Sequence, residues 1–205
     1  MTEISKLLSG FQAFRETYFA ETPQLFQSLN RDGQKPKILV IACSDSRVDP
    51  AILFNAAPGE LFVVRNVANL VPPYQPDGQY HGTSAAIEFA VRDLGVSEIL
   101  VLGHSSCGGI GALRDLARGH PETREFIGPW VALAAEACCA ANADAHEVEQ
   151  AAIRQSVGNL RSFPWLGERE AAGELALHGW WFDLEAGALW RLADDEFVPV
   201  ATISR

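Results

Sequence analysis

The chain has 205 residues, 48% of them hydrophobic, enough for one domain with a substantial core and too few for two comfortable ones. Sixteen Lys and Arg stand against 26 Asp and Glu, a formal net charge of −10, which leaves no basic footprint for nucleic acid or an anionic membrane and favours a small-molecule partner. No run approaches the ~20 apolar residues needed to span a bilayer, and Met1 to Phe11 offers neither an apolar signal core nor a cleavage site. A cytoplasmic location is expected, where thiols stay reduced and cysteines serve as metal ligands or nucleophiles more often than as disulfides.

In chain order, Ile4, Leu7, Leu8, Phe11, Phe14, Tyr18 and Phe19 fall at helical spacing until Pro23 interrupts them, which predicts one or two amphipathic helices and an N-terminal helical arm over residues 1–33. Ile38 to Ala42 is a short continuous apolar run, the pattern of a parallel strand covered on both faces. Cys43-Ser44-Asp45-Ser46-Arg47 follows directly. Asp49 and Pro50 form the N-cap and first position of a short helix, and Leu61 to Val64 reads as a second strand. Thr83 to Leu94 carries Ala86, Ile87, Ala90, Val91 and Leu94 on one helical face, with Gly95 where a C-terminal cap belongs. Ile99 to Leu102 is the third strand, leading into His104-Ser105-Ser106-Cys107-Gly108-Gly109. Thr123 to Asn142 and Val148 to Phe163 read as helices. Leu175 to Phe182 and Ala188 to Leu192 flank a Glu185-Ala186-Gly187 turn and read as a hairpin. The whole predicts a single α/β domain: a mainly parallel open sheet of about four to five strands flanked by helices.

Cys43 and His104 stand just beyond the carboxyl ends of the first and third strands. If those strands are neighbours, with the second on the far side of the first, a topological switch point lies between the two loops and gathers Cys43, His104 and Cys107. Two thiolates and an imidazole suit a tetrahedral zinc and leave one position for a reactive ligand. Asp45 is placed to accept a hydrogen bond from a water on that metal, and Arg47 to pin its carboxylate with a bidentate fork. Plainer readings stand beside these. The two cysteines could be buried apolar thiols, His104 a core histidine and Asp45 with Arg47 a structural ion pair. Gly108, Gly109 and Gly111 could start a phosphate-binding helix, although no Lys or Ser/Thr pattern follows. Cys138 and Cys139, being adjacent, cannot readily bridge and read as packing. So do His178, Trp180 and Trp181.

The paired segments Cys43 to Arg47 and His104 to Gly108 resemble the signature of the β-carbonic anhydrases. The likeness continues through Pro58-Gly59-Glu60, Val64 to Asn69, Ala85 to Glu88 and Leu177 to Trp180, so it covers roughly residues 34–183. The resemblance implies a zinc enzyme that hydrates carbon dioxide to bicarbonate, with one zinc per chain held by Cys43, His104 and Cys107. It makes Asp45 and Arg47 the dyad that orients zinc-bound hydroxide. It places Gln34, nine positions before Cys43, as a donor to substrate, Phe62 and Val67 along the carbon dioxide pocket, and the Gly108 backbone N–H against a substrate oxygen. Phe89 stands where plant members have a tyrosine, and Asp93 where they have a histidine, so the proton path transfers least. The resemblance also implies an obligate homodimer or larger assembly, with the zinc near the interface and N-terminal helices packing on the partner subunit. Part of the family closes its site at low pH through a bicarbonate pocket built from a Trp, a Gly and a Tyr. Here those positions read Val40, Ala42 and Phe182, so an open site with Asp45 on Arg47 is expected. Two alternative functions keep the same residues: hydrolysis of carbon disulfide or carbonyl sulfide, and a non-catalytic zinc or thiol redox sensor, in which Asp45 and Arg47 would be idle.

Overall fold

The computed structural model describes residues 2–120, 122–138 and 144–200, in two units, Met1–Lys35 and Pro36–Arg205. The first unit holds α1 (Glu3–Arg15), which runs into a wide π-helical turn over Glu16–Glu21, and then α2 (Gln24–Asp32). Thr2 caps α1 by accepting the Ser5 N–H. Pro23, which cannot donate to a preceding turn, separates the two helices as its ring requires. Phe14, Tyr18, Phe19 and Phe26 stack on one another between them, while Ile4, Leu7, Leu8 and Phe11 stay exposed.

The second unit is a six-stranded sheet with helices about it. In chain order its elements are β1 (Ile38–Cys43), α3 (Pro50–Leu53), β2 (Leu61–Asn66), α4 (Gly82–Glu88), β3 (Glu98–His104), α5 (Gly108–Ala117), α6 (Ile127–Val131), α7 (Ala145–Arg161), α8 (Pro164–Ala171), β4 (Ala176–Asp183), β5 (Ala188–Ala193) and β6 (Glu196–Pro199). The strand order is β2-β1-β3-β4-β5-β6, with the first four parallel and the last two antiparallel. β1 and β3 are thus neighbours and the chain turns opposite ways from them, which creates the switch point at their carboxyl ends. The unbroken apolar run of β1 is explained by burial on both faces. Leu39 and Ile41 join Ile99, Val101 and Ile153 on one side; Val40 and Ala42 join Leu100 and Leu102 on the other.

Three local expectations need correction. Among the described residues the sheet has six strands, not four to five. β6 was hidden because it is four residues long and half exposed, and because its two-residue turn is Asp194-Asp195, both left-handed at φ 47° and 70°, where Asn-Gly would have advertised a hairpin. The helix expected over Thr123–Asn142 begins at Ile127, because Pro129 is tolerated only in a first turn; it then tightens into a 3₁₀ turn over Ala132–Cys138, and residues 139–143, Cys139 included, lie outside the described residues. The helix over Thr83–Leu94 is α4 followed by a π-helical turn, Phe89–Asp93, before Gly95 closes it at φ 66°. A 3.6-residue stripe does not register one extra residue in a turn.

α7 crosses the sheet on two notches. Ile153 is fully buried and sits where a Cβ on Gly103 would lie 2.5 Å from its Cδ1 and a Cβ on Gly179 would lie 2.8 Å from its Cγ2. With glycines on both sides the side chain has nowhere to retreat. Gly103→Ala is therefore expected to cost ~1–3 kcal/mol by overpacking and to lower the Tm of the zinc-loaded protein by roughly 2–10 °C. Adding Ile153→Val should recover part of that loss. A parental Tm for Gly103→Ala, measured by calorimetry, would show that this crossing has slack.

Candidate metal centre and active site

The residues that could hold a metal come from the ends of two neighbouring strands. Cys43 closes β1 and His104 closes β3; Cys107 then caps α5, after Ser106 turns the chain through a left-handed φ of 57°. All three are buried, and one ligand atom from each lies within 4.8 Å of the others. The Cys43 and Cys107 sulfurs are 3.9 Å apart. Two sulfurs each ~2.3 Å from one tetrahedral ion lie about 3.8 Å apart, so the spacing suits zinc. His104 Nδ1 stands 2.8 Å from the Ser105 carbonyl oxygen. A carbonyl only accepts, so Nδ1 carries the proton and Nε2 offers its lone pair. Nε2 is buried and has no hydrogen-bond partner among the described residues, the condition of an imidazole shaped to hold a metal.

The sulfurs are prepared for charge. The Cys107 thiol donates to Cys43 and holds it down at about 4, assisted by the Asp45 and Ala68 N–H groups, while the resulting thiolate pushes Cys107 up. The remaining thiol proton lies between the two sulfurs, 3.9 Å apart, and a divalent cation held there would displace it. Ala68 and Asn69 are both left-handed, at φ 65° and 48°, and fully or almost fully buried. Such backbone costs of order 1–3 kcal/mol per residue and survives only where its surroundings fix it. Here the Asn66 side chain closes the turn by accepting from Leu70 N–H and donating to Leu70 O. Trp130 Nε1 donates to Val67 O at 2.7 Å. Gly109 must be glycine, since a Cβ there would meet Val67 Cγ1 at 2.7 Å and Ala68 Cβ at 2.9 Å.

Asp45 stands beside this group, its Oδ2 3.9 Å from His104 Nε2. Arg47 grips it with Nε on Oδ1 at 2.9 Å and Nη2 on Oδ2 at 2.7 Å, and the Arg47 backbone N–H adds a third bond to Oδ1. The guanidinium holds the Asp45 carboxyl far below the usual carboxylate range, so it is ionised throughout the neutral and mildly acidic range and can only accept hydrogen bonds.

The remaining sequence-predicted residues divide. Val67 packs in the apolar cluster that contains Cys43 and Cys107, and Gly108 opens α5 with an N–H the helix does not use. Phe62 and Phe89 form their own aromatic pair, centroids 5.9 Å apart. Phe62 pairs with Leu39 in register, whereas Cys43 pairs with Asn66; four residues at ~3.3 Å put Phe62 about 13 Å down the strand from the metal ligands of its own chain. Gln34 is exposed and belongs to the first unit.

Two further residues had no role in the sequence reading. Arg65 bonds to the carbonyls of Cys43 and Asp45 and to Asp49. Glu149, 4% exposed, accepts from the Cys107 N–H and from Trp181 Nε1, both at 3.2 Å; burial pushes its carboxyl up against the pull of those donors. The usable signal for Glu149 was an acid inside the apolar stripe Val148, Ala152, Ile153, Val157, Leu160.

The family described as Carbonic anhydrase matches residues 38–189. The carbonic anhydrase of Pseudomonas aeruginosa is 41% identical over 95% of this chain and 91% of its own length. The solved β-carbonic anhydrase CcaA, 33% identical, superposes with a TM-score of 0.86 over 97% of this chain and 92% of the other. One of two tetrameric β-carbonic anhydrases from the ascomycete Sordaria macrospora, 28% identical, does so with a TM-score of 0.79 over 97% and 98%. The chain belongs to the β-carbonic anhydrases. It is a zinc-dependent lyase of the carbonate dehydratase reaction, the reversible hydration of carbon dioxide to bicarbonate and a proton.

Proposed function

We propose that this hydration runs at Cys43, His104 and Cys107 as zinc ligands, with Asp45 and Arg47 as the dyad that aims the attacking oxygen. The observation that carries the reading is the bidentate Asp45–Arg47 pair standing 3.9 Å from the free nitrogen of His104. Zinc bound there supplies a Lewis acid that brings the pKa of a water toward neutrality. Asp45 Oδ2 accepts a hydrogen from the attacking oxygen, and only an oxygen that still carries one can satisfy it. That contact turns a lone pair of the oxygen toward the substrate carbon. Arg47 keeps the carboxylate charged and aligned. The Val67 side chain supplies an apolar wall that suits carbon dioxide better than bicarbonate, and the Gly108 N–H donates to the substrate oxygen on which charge develops. Gln34 is proposed as a second donor to substrate.

The proposal extends to a homodimer, or dimers paired into a larger assembly. Its support is the placement of Phe62, which the family resemblance assigns to the pocket: it lies about 13 Å along the strand from its own chain's proposed ligands and packs on Phe89, so the pair would serve a pocket across a subunit boundary. The helical arm within residues 1–33, whose exposed Ile4, Leu7, Leu8 and Phe11 need covering, is proposed to pack on the partner subunit, as part of a single β-carbonic anhydrase domain over residues 1–205. A cytoplasmic location is proposed because the buried free thiols Cys43 and Cys107 function reduced.

Stopped-flow hydration of carbon dioxide, zinc analysis and light scattering on one preparation test these points together. About one zinc per chain, a rate abolished by dialysis against chelator and restored by zinc, and a mass of at least two chains are expected. Turnover of carbon disulfide exceeding that of carbon dioxide would transfer the assignment to the related hydrolases, and a monomer with full activity would remove the shared pocket.

A further inference from the structure

We infer that Arg65 is a positioning residue of the hydration reaction, the group that fixes the Asp45–Arg47 dyad relative to the zinc ligands. The inference rests on the dyad assignment above and extends it to a residue that touches neither metal nor substrate.

The dyad is closed on itself. Asp45 and Arg47 bond through both side chains and through the Arg47 backbone N–H, and the Val48 N–H returns to the Asp45 carbonyl at 3.2 Å. These bonds make residues 45–48 a tight turn, but none of them states where that turn stands relative to Cys43. Two tethers do. One is Arg47 Nη2 on the Ser106 carbonyl at 3.1 Å, which is single and belongs to a half-exposed side chain.

The other is Arg65, on β2 and in register with Ala42 of β1. Its Nε donates to the Cys43 carbonyl at 2.9 Å, its Nη2 to the Asp45 carbonyl at 2.7 Å, and its Nη1 to Asp49 Oδ2 at 2.8 Å. Asp49 Oδ1 meanwhile caps α3 by accepting from Ala51 and Ile52. One planar group therefore ties a metal ligand, the dyad turn and the helix that follows to a strand of the sheet. Three acceptors on three residues use the fixed fork of a guanidinium in a way a lysine ammonium, a compact charge on a flexible stem, cannot reproduce. An error of about 1 Å in where Asp45 meets the attacking oxygen is enough to cost roughly a hundredfold in rate.

The test compares Arg65→Lys with the parent enzyme, both zinc-loaded. Zinc content near one per chain is expected, since all three ligands remain. The kcat per bound zinc is expected to fall about 10- to 100-fold with KM changed little, because the misplaced group acts on the oriented oxygen and not on binding. In the cobalt-substituted enzymes the visible d–d bands are expected to shift, since the peptide that follows the Cys43 thiolate loses its anchor. A merely structural arginine would lower the Tm and leave kcat per zinc and the cobalt spectrum in place, and that result would overturn the inference. Should Arg65→Lys fail to fold, Asp49→Asn carries the test. It keeps the α3 cap through Oδ1 and removes only an acceptor of Arg65, so a several-fold loss of kcat per zinc is expected and parental kcat overturns the role. Asp45→Asn is measured in parallel. Loss there beside a parental Arg65→Lys enzyme overturns the positioning role alone, whereas parental turnover in Asp45→Asn overturns the dyad assignment beneath it.

Discussion

His104→Ala and Cys43→Ser are expected to purify with little zinc and to hydrate carbon dioxide no faster than buffer within the sensitivity of stopped flow. Each removes one of three protein ligands from a buried site. In His104→Ala the lost atom is the lone pair that the Ser105 carbonyl selects by fixing the Nδ1 proton. In Cys43→Ser a hydroxyl replaces a thiol held at about 4, and at neutral pH that hydroxyl remains protonated, so the charge that neutralises the ion is gone. The several kcal/mol of charge stabilisation a zinc ion supplies correspond to a rate loss of roughly a thousandfold or more. Cys138→Ala is the control: Cys138 is buried and free but lies outside the metal-binding group, so its variant should keep zinc. Full zinc occupancy with parental activity in either ligand variant would refute the assignment.

Asp45→Asn is expected to keep the metal and lose about a hundredfold in kcat. Arg47 donates to both carboxylate oxygens, and an asparagine has one acceptor to offer in place of two. If its carbonyl oxygen takes the Oδ1 place, its NH₂ meets Nη2, donor against donor, and points toward the attacking oxygen where acceptance is required; if it turns the other way, NH₂ meets Nε and the Arg47 backbone N–H, again donor against donor. Neither rotamer reproduces the dyad, and the backbone bond from the Arg47 N–H constrains both. Losing one charge-assisted contact aimed at the reacting atom is worth on the order of 10²-fold. Zinc analysis and stopped-flow turnover on the same sample separate this outcome from metal loss, and unchanged turnover would reduce the pair to a structural ion pair.

Much of this site was legible before any fold was seen. Ile38–Ala42 and Ile99–Leu102 are unbroken apolar runs, which admit few readings; the first is followed directly by Cys43 and the second, after Gly103, by His104. Convergence of Cys43 and His104 required β1 and β3 to be neighbours with β2 on the far side of β1, and that is the strand order of the fold. What was not legible depends on distance rather than identity. Phe62 and Val67 look equivalent in sequence as pocket residues, but the pairing of Phe62 with Leu39 separates it from the ligands of its own chain while Val67 remains beside them. Arg65 reads as an ordinary polar residue near a strand end until the Cys43–Asp49 loop folds back over it and supplies three acceptors. β6 and the start of α6 were missed because an Asp-Asp turn and a proline act through φ and sterics, which hydropathy patterns do not carry.

The notches on Gly103 and Gly179 make α7 a gauge as well as a cover. Ile153 seats the helix on β3 and β4, and Glu149, four residues earlier on the same face, holds the Cys107 N–H. The height of the second metal loop above the sheet is therefore inherited from how deeply one isoleucine sinks between two strands. Core and centre share a single mechanical reference. A substitution in the notches, of which Gly103 stands one residue before His104, should therefore register at the metal centre as well as in the melting point, and zinc retention is a second probe of this protein's packing.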